Sequence, residues 1–322
     1  MSAPHSDPGP VLVGFDGSDH GCDALALGDA LAQTFSTGLL VITAYAPDQW
    51  LWTPGTAEAM DREERARLIK RAQATLEQRH FEHRMVPSPS AAGALHAEAE
   101  RERAEIIVVG ASHHGRVGRV VLGTVTQGVL DAAPCAVAVA PPRLSERRDR
   151  RFSKVGVAFD DSACGHEALQ LARVLAARSG AEVHLLWAAH LTARALPLAA
   201  TSYVNPDYFE EVRASVAERM EQAAAPLRTD LVVRTHILRG ESADALLAES
   251  GQFDLLVLGS RGYGPLRSVL LGSISRRVVN QASCPVLVVP RGVSNLRDVR
   301  LPAEGGVGEA HDPAAHGAPT AS

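Results

Sequence analysis

Lysine is nearly missing from this chain. Of its 32 basic residues only Lys70 and Lys154 are lysine; the others are arginine. Neither lysine stands in a Gly-Lys-Ser/Thr context, which excludes a P-loop kinase or ATPase. Aromatic residues make up 4% of the chain, too few for a stacking platform on single-stranded nucleic acid. A net charge of −5 removes the electrostatic reason to hold DNA or RNA. The four cysteines (Cys22, Cys135, Cys164, Cys284) form no Cys-x-x-Cys pair and no zinc spacing with histidine. No run of about 18 uncharged apolar residues occurs, so nothing reads as a membrane span. Residues 1–8 lack the basic start and apolar run of a signal peptide. The expectation is a cytoplasmic chain with reduced thiols and no nucleic-acid or membrane partner.

What is present is globular. The 322 residues are 46% hydrophobic and 21% charged, enough for roughly two domains at about 150 residues each. They also repeat. Residues 11–32 align without gaps on 155–176, with identities at Val11, Val13, Phe15, Asp16, Ser18, Gly21, Ala24, Leu25, Leu27, Leu31 and Ala32. Residues 110–141 align on 259–290 with a further eleven identities, among them Gly110, Leu122, Gly123 and Cys135. The chain is therefore read as a tandem duplication: a first unit over 1–143, a charged linker over 144–152, and a second unit over 153–291. The tail 292–322, rich in Gly, Ala, Pro and His, lacks the material for a core and is expected to be disordered.

Each unit alternates aliphatic strands with helices. Strands are expected near 10–15, 39–45, 82–86, 105–109 and 136–140, and again over 154–159, 182–188, 231–238, 254–258 and 286–289. Helices are expected over 164–178, 208–225, 242–249 and 272–281, the first with Ala168, Leu171, Ala172 and Leu175 on one face. Aliphatic strands separated by helices mean an α/β fold: two tandem, doubly wound, Rossmann-like five-stranded parallel sheets with helices on both faces. Ligands of such sheets bind outside the carboxyl ends of the strands.

At that rim the second unit reads Gly259-Ser-Arg261-Gly262, then nine residues, then Gly272-Ser273. Glycines let a backbone turn and expose its N–H groups, and a helix starting at Gly272-Ser273 favours an anion. Arg261 adds a charge-assisted contact and the Ser273 hydroxyl a hydrogen bond. Asp160 closes the first strand on the same rim, where a carboxylate can accept from a ribose hydroxyl or an adenine amine. The competing reading is plain: glycines after strands serve turns, and serine at a helix start is an ordinary N-cap. Spacing, strand context and the paired aspartate favour a nucleotide.

At these residues the chain resembles the universal stress protein family, over roughly 8–142 and 152–291. The G-x2-G-x9-G-[S/T] pattern of the family's nucleotide-binding members is met in full by Gly259, Gly262, Gly272 and Ser273. The family's Asp-Gly-Ser-type turn is met by Asp16-Gly17-Ser18 and partly by Asp160-Asp161-Ser162. The resemblance implies bound ATP, with or without magnesium and with no dedicated metal site. Adenine would lie near Ala158, Phe159, Asp160 and Ala188, with Gly240 in the turn before the third helix. Ribose would lie near Gly259, and phosphates near Arg261, Gly262, Gly272, Ser273 and Ile274. In the first unit the matching positions are Gly14, Phe15, Asp16, Gly110, Gly123, Thr124 and Val125. There the pattern departs: His113 takes the second glycine position, Pro89 or a neighbour stands where Gly240 stands, and Tyr45 replaces the small Ala188. Whether this unit binds is left open.

Other candidates have simpler readings. His113 and His114 lie on a rim turn without acidic or thiol ligands at metal spacing. Cys135 and Cys284 pack in the core, and Cys22 and Cys164 are inert thiols at helix starts. Ser18 and Ser162 are N-caps rather than nucleophiles, and Asp61–Arg71 is the solvated face of a helix. Three functions compete. One is an ATP-binding stress sensor or adaptor, not a fast catalyst, that works through a regulatory protein partner. Another is a nucleotide α-hydrolase, whose Ser-Gly-Gly-x-Asp-Ser or His-x-Gly-His loops are missing. The third is a flavin carrier, for which the rim offers few rings. The family also implies pairing through the fifth strand, which here would join the two units as a pseudo-dimer, and two chains could associate further as a homodimer.

Overall fold

The computed structural model describes residues 8–46, 56–77, 79–111, 123–188, 206–260 and 272–291. The first unit runs β1 (Val11–Gly14), α1 (Asp19–Phe35), β2 (Leu39–Tyr45), α2 (Thr56–Thr75), β3 (Glu82–Pro87), α3 (Ala91–Glu102), β4 (Ile106–Gly110), α4 (Thr124–Ala132) and β5 (Ala136–Ala140). The second repeats it as β6 (Lys154–Ala158), α5 (Ala163–Ser179), β7 (Glu182–Trp187), α6 (Pro206–Ala224), β8 (Val233–Ile237), α7 (Ser242–Ser250), β9 (Leu255–Gly259), α8 (Ser273–Gln281) and β10 (Val286–Val289). The expected strands and helices fall within a residue or two of these bounds, because the aliphatic runs that mark them are buried on both faces. The tail, including 292–322, lies outside the described residues.

The strands form one ten-stranded sheet in the order β3-β2-β1-β4-β5-β10-β9-β6-β7-β8. Each half is parallel, and the halves join antiparallel through β5 and β10. The sheet is thus mixed, made of two five-stranded parallel halves. Its central register pairs Val139 with Val286, Ala138 with Leu287 and Val137 with Val288. Across the same seam Arg276 Nη2 lies 3.6 Å from Asp131 of α4.

Helices cover both faces. One core layer gathers Leu25, Leu27 and Leu31 of α1, Leu68 and Ala72 of α2, Leu169, Leu171 and Leu175 of α5, and Val216 and Met220 of α6. The other gathers Leu95 and Ala99 of α3, Val129 and Leu130 of α4, Leu246 of α7, and Val278 and Val279 of α8. Each layer runs across both units without a break. Burial of a leucine of this kind contributes about 1.5–3 kcal/mol, so the seam is a shared core rather than a loose contact.

The ends of the helices are fixed locally. Ser18 and Ser162 are N-caps whose hydroxyls accept from Gly21 N and Gly165 N, both at 3.1 Å, as their sequence positions led one to expect. The linker is ordered by α1. The buried Asp23 carboxylate accepts from Arg143 N at 2.9 Å and from Ser145 N and Oγ at 2.8 and 2.7 Å. Among the described residues no helix is long and apolar enough to cross a membrane.

Candidate functional site

Two cavities open at the carboxyl ends of the strands, one per unit. The first, of about 630 Å³, is walled by Gly14, Phe15 and Asp16 after β1, by Ser18, His20 and Gly21 at the start of α1, and by Gly110, Gly123, Thr124, Val125 and Thr126. The second, of about 350 Å³, is walled by Ala158, Phe159 and Asp160, by Ser162, Cys164 and Gly165, and by Trp187, Ala188, Gly259, Ile274 and Ser275. Both volumes fall in the range of small-molecule sites.

The rim aspartates are held in matching ways. Asp16 Oδ1 accepts from Ser18 N at 2.9 Å and Ser18 Oγ at 2.6 Å. Asp160 Oδ1 accepts from Ser162 N at 3.2 Å and Ser162 Oγ at 2.5 Å. The residue between them is Gly17 in one unit and Asp161 in the other, both with positive φ. That left-handed conformation costs an ordinary side chain about 1–2 kcal/mol, and aspartate is among the few residues that tolerate it. His166 Nε2 at 3.0 Å and Arg219 Nη1 at 3.6 Å steady the Asp161 carboxylate.

The glycines that end β4 and β9 serve a close approach. A Cβ on Gly110 would lie 2.2 Å from the His20 carbonyl oxygen, and one on Gly259 would lie 2.5 Å from that of Cys164. Strand four therefore presses on the first turn of α1 or α5. Opposite stand the N-termini of α4 and α8. Their N-caps are Gly123 and Gly272, and neither makes a side-chain cap bond. A glycine N-cap offers the first amides of its helix no side-chain acceptor, and the positive end of the helix dipole lies behind them. Thr126 Oγ1 donates to Gly110 O at 2.9 Å, and Ser275 Oγ reaches Gly259 O at 3.4 Å. These bonds tie each helix to its strand.

Support behind the rim differs between units. Thr43 Oγ1 donates to Phe15 O at 2.7 Å and so accepts from His83 Nε2 at 3.0 Å. Burial, then the nearby Arg65, holds His83 below the ordinary histidine range. In the second unit Trp187 takes the place of Thr43 and packs edge-on against Phe159 at 6.0 Å.

Several sequence expectations need amendment. Strand register makes Ala44, not Tyr45, the equivalent of Ala188 in the repeat: Val11 pairs with Leu39 as Val155 pairs with Val183. Ala44 lines the first cavity and Tyr45 does not, so the two walls are alike at this position. Gly240 is absent from the second wall. It takes φ +111 beyond β8, and Ser242, the first residue of α7, lines the cavity instead. Gly272 and Ser273 cap and open α8, but the wall itself begins at Ile274. His113, Arg261 and Gly262 lie outside the described residues. The sequence reading missed the apolar floor (Ile42 and Leu95, or Leu186 and Leu246) and set Cys164 aside as inert. The gapless alignment of the units carried that last signal, since it maps Cys164 onto His20. Cys135 and Cys284 are buried as expected, and burial pushes both thiols up to about 12.

Comparison with known proteins fits this geometry. A family model described as the universal stress protein family matches residues 9–141 and 151–290. A universal stress protein of Mycobacterium tuberculosis is 32% identical over 188 residues, 58% of this chain and 61% of its own length. A second from that organism is 25% identical over 295 residues, covering 87% of this chain and 99% of the relative. Among solved structures, a universal stress protein from Archaeoglobus fulgidus superimposes with a TM-score of 0.64 at 20% identity, over 88% of this chain and 98% of that one.

Proposed function

The chain belongs to the universal stress protein family, and from that premise we propose that it binds ATP and works as a stress-response sensor or adaptor in the cytoplasm. The observation that carries the proposal is the repeated rim. An oriented aspartate after the first strand faces a helix N-terminus whose amides have no side-chain cap, across a cavity of ligand size. Phosphates suit the helix N-terminus and a ribose or adenine donor suits the aspartate. The apolar floor accepts the base.

In this reading Thr124, Val125, Ser273 and Ile274 offer backbone amides to phosphate, and Arg261 and Gly262 extend the grip in the second unit. Magnesium enters with the phosphates as their counter-ion. Both units are read as binders, because the wall that Tyr45 would have filled is lined by Ala44. Each aspartate oxygen that the loop orients is already engaged by a serine, an arrangement suited to holding a ligand rather than to abstracting a proton. Occupancy rather than turnover then carries the signal to a protein partner.

The test is occupancy. Protein extracted with acid is expected to release adenine nucleotide, and titration of stripped protein with ATP is expected to give two sites. Gly123→Val and Gly272→Val, which put a branched side chain at each helix entrance, should each remove one. No released nucleotide together with no thermal shift at millimolar ATP would overturn the reading. A single site abolished by Gly272→Val alone would overturn it for the first unit.

A further inference from the structure

A third cleft, of about 930 Å³, lies where the second half of α1, the end of α2, the linker and the end of α5 meet. It shares no wall residue with the strand-end cavities. Along α1, Gln33 here and Gly21 there are separated by about 18 Å of helix. Five arginines line the cleft, Arg79, Arg148, Arg150, Arg151 and Arg178, against Asp29, Glu77 and Asp149.

Two of the five are matched by carboxylates. Arg79 Nη1 lies 2.8 Å from the nearly buried Asp29, and Arg151 Nε lies 3.5 Å from Asp149. The other three form no ion pair among the described residues. Arg150 donates to the carbonyls of Arg147 and Ser145 at 3.1 and 2.9 Å, which fixes its direction. Arg178 Nη1 donates to Phe35 O at 2.9 Å, while its Nε is buried with no hydrogen-bond partner among the described residues. Arg148 is exposed. Five arginines against three carboxylates leave an excess of two positive charges in the lining, of which the partial negative charge at the end of α1 offsets a part at Arg178 through Phe35 O.

Guanidinium groups keep their charge at any working pH, and their planar fork matches pairs of phosphate oxygens. Three of them from two segments need more than one negative charge to satisfy them. A long polyanion is disfavoured by the chain's net charge of −5. We propose that this cleft is a second kind of ligand site and that it takes a small anion carrying two or more phosphate groups, held between the two units.

Inorganic tripolyphosphate is the probe, titrated calorimetrically into the full chain and into the Gly123→Val/Gly272→Val double variant. One site is expected to survive in the double variant. Arg148→Gln, which removes an exposed side chain with no ion pair, should weaken that site at least about tenfold. Arg178→Gln should do the same, with its melting temperature recorded because Phe35 O loses a donor. An ADP titration of the double variant, compared with tripolyphosphate, separates a nucleotide ligand from an inorganic one. Loss of all binding in the double variant, or wild-type affinity in both arginine variants, would overturn the proposal. The arginine variants decide it whether or not the strand-end cavities hold nucleotide.

Discussion

Replacing Gly110 with alanine tests how tightly strand four is pressed against α1. The new Cβ would sit 2.2 Å from the His20 carbonyl oxygen and 2.7 Å from its carbon, where ordinary contact begins at 3.4 Å. The shortfall is roughly 1.2 Å, and the obstacle is helix backbone rather than a side chain that can swing away. Overpacking of this kind costs about 1–3 kcal/mol, and a backbone obstacle puts Gly110→Ala near 3 kcal/mol. Gly259→Ala meets the Cys164 carbonyl oxygen at 2.5 Å and should cost about 2 kcal/mol. Gly251→Ala is the control. Its φ is −68 and a Cβ there meets nothing within 4 Å, so it should be neutral or stabilise by about 0.4–1 kcal/mol. Urea unfolding followed by circular dichroism gives the three values. Gly110→Ala should also weaken ligand binding in the first unit alone, because the displaced turn carries Ser18 and Gly21. A Gly110→Ala value within about 0.5 kcal/mol of wild type, the usual spread for a surface change, would refute the reasoning. So would a Gly251→Ala variant that falls as far as Gly259→Ala.

Three further outcomes follow from the same geometry. Ser18→Ala and Ser162→Ala each remove an N-cap acceptor and an aspartate partner, and each should lose about 1 kcal/mol in urea titrations. In native protein a thiol reagent should label the half-buried Cys164 first and spare Cys135 and Cys284, whose thiols burial pushes up to about 12; peptide mass spectrometry reads the order, and early labelling of either buried thiol would count against it. Burial, then the neighbouring His236 at 3.0 Å, lowers the His184 pKa from its ordinary 6.5, while Glu182 and Arg234 flank the pair. The folded state thus favours neutral His184: its contribution is complete above about pH 6.5 and is lost as the pH falls below that value. His184→Leu copies Leu40, its register equivalent in the first unit, and should flatten the fall in urea midpoint between pH 7.5 and 5.5; an equal fall would place the effect elsewhere.

Much of this was legible in the sequence because burial on both faces leaves continuous aliphatic strands, such as Ile106–Val109 and Leu255–Leu258, that few other structures need. The rim aspartates and their capping serines were equally plain, since both are set by contacts two or three residues apart. What failed depended on register or on distant segments. Tyr45 looked like the equivalent of Ala188 until strand pairing shifted the frame by one, which in a strand exchanges the two faces. Gly240 sits close in sequence to Ser242, yet only the latter faces the cavity. The His184–His236 contact and the arginine cleft join residues from separate elements that no local pattern connects.

The seam between the halves has one more implication. Ala138 and Leu287 occupy the same position in the two repeats, and they face each other in the register, so the pseudo-twofold axis passes between them. A true homodimer built on this strand would set a residue against its own copy there. Alanine against alanine would leave a hole, and leucine against leucine would crowd. Joining the repeats in one chain lifts that isologous constraint: a small side chain can be matched to a large one, and the match forms at the same effective concentration however dilute the protein becomes. Cut apart, the halves should prefer each other to themselves.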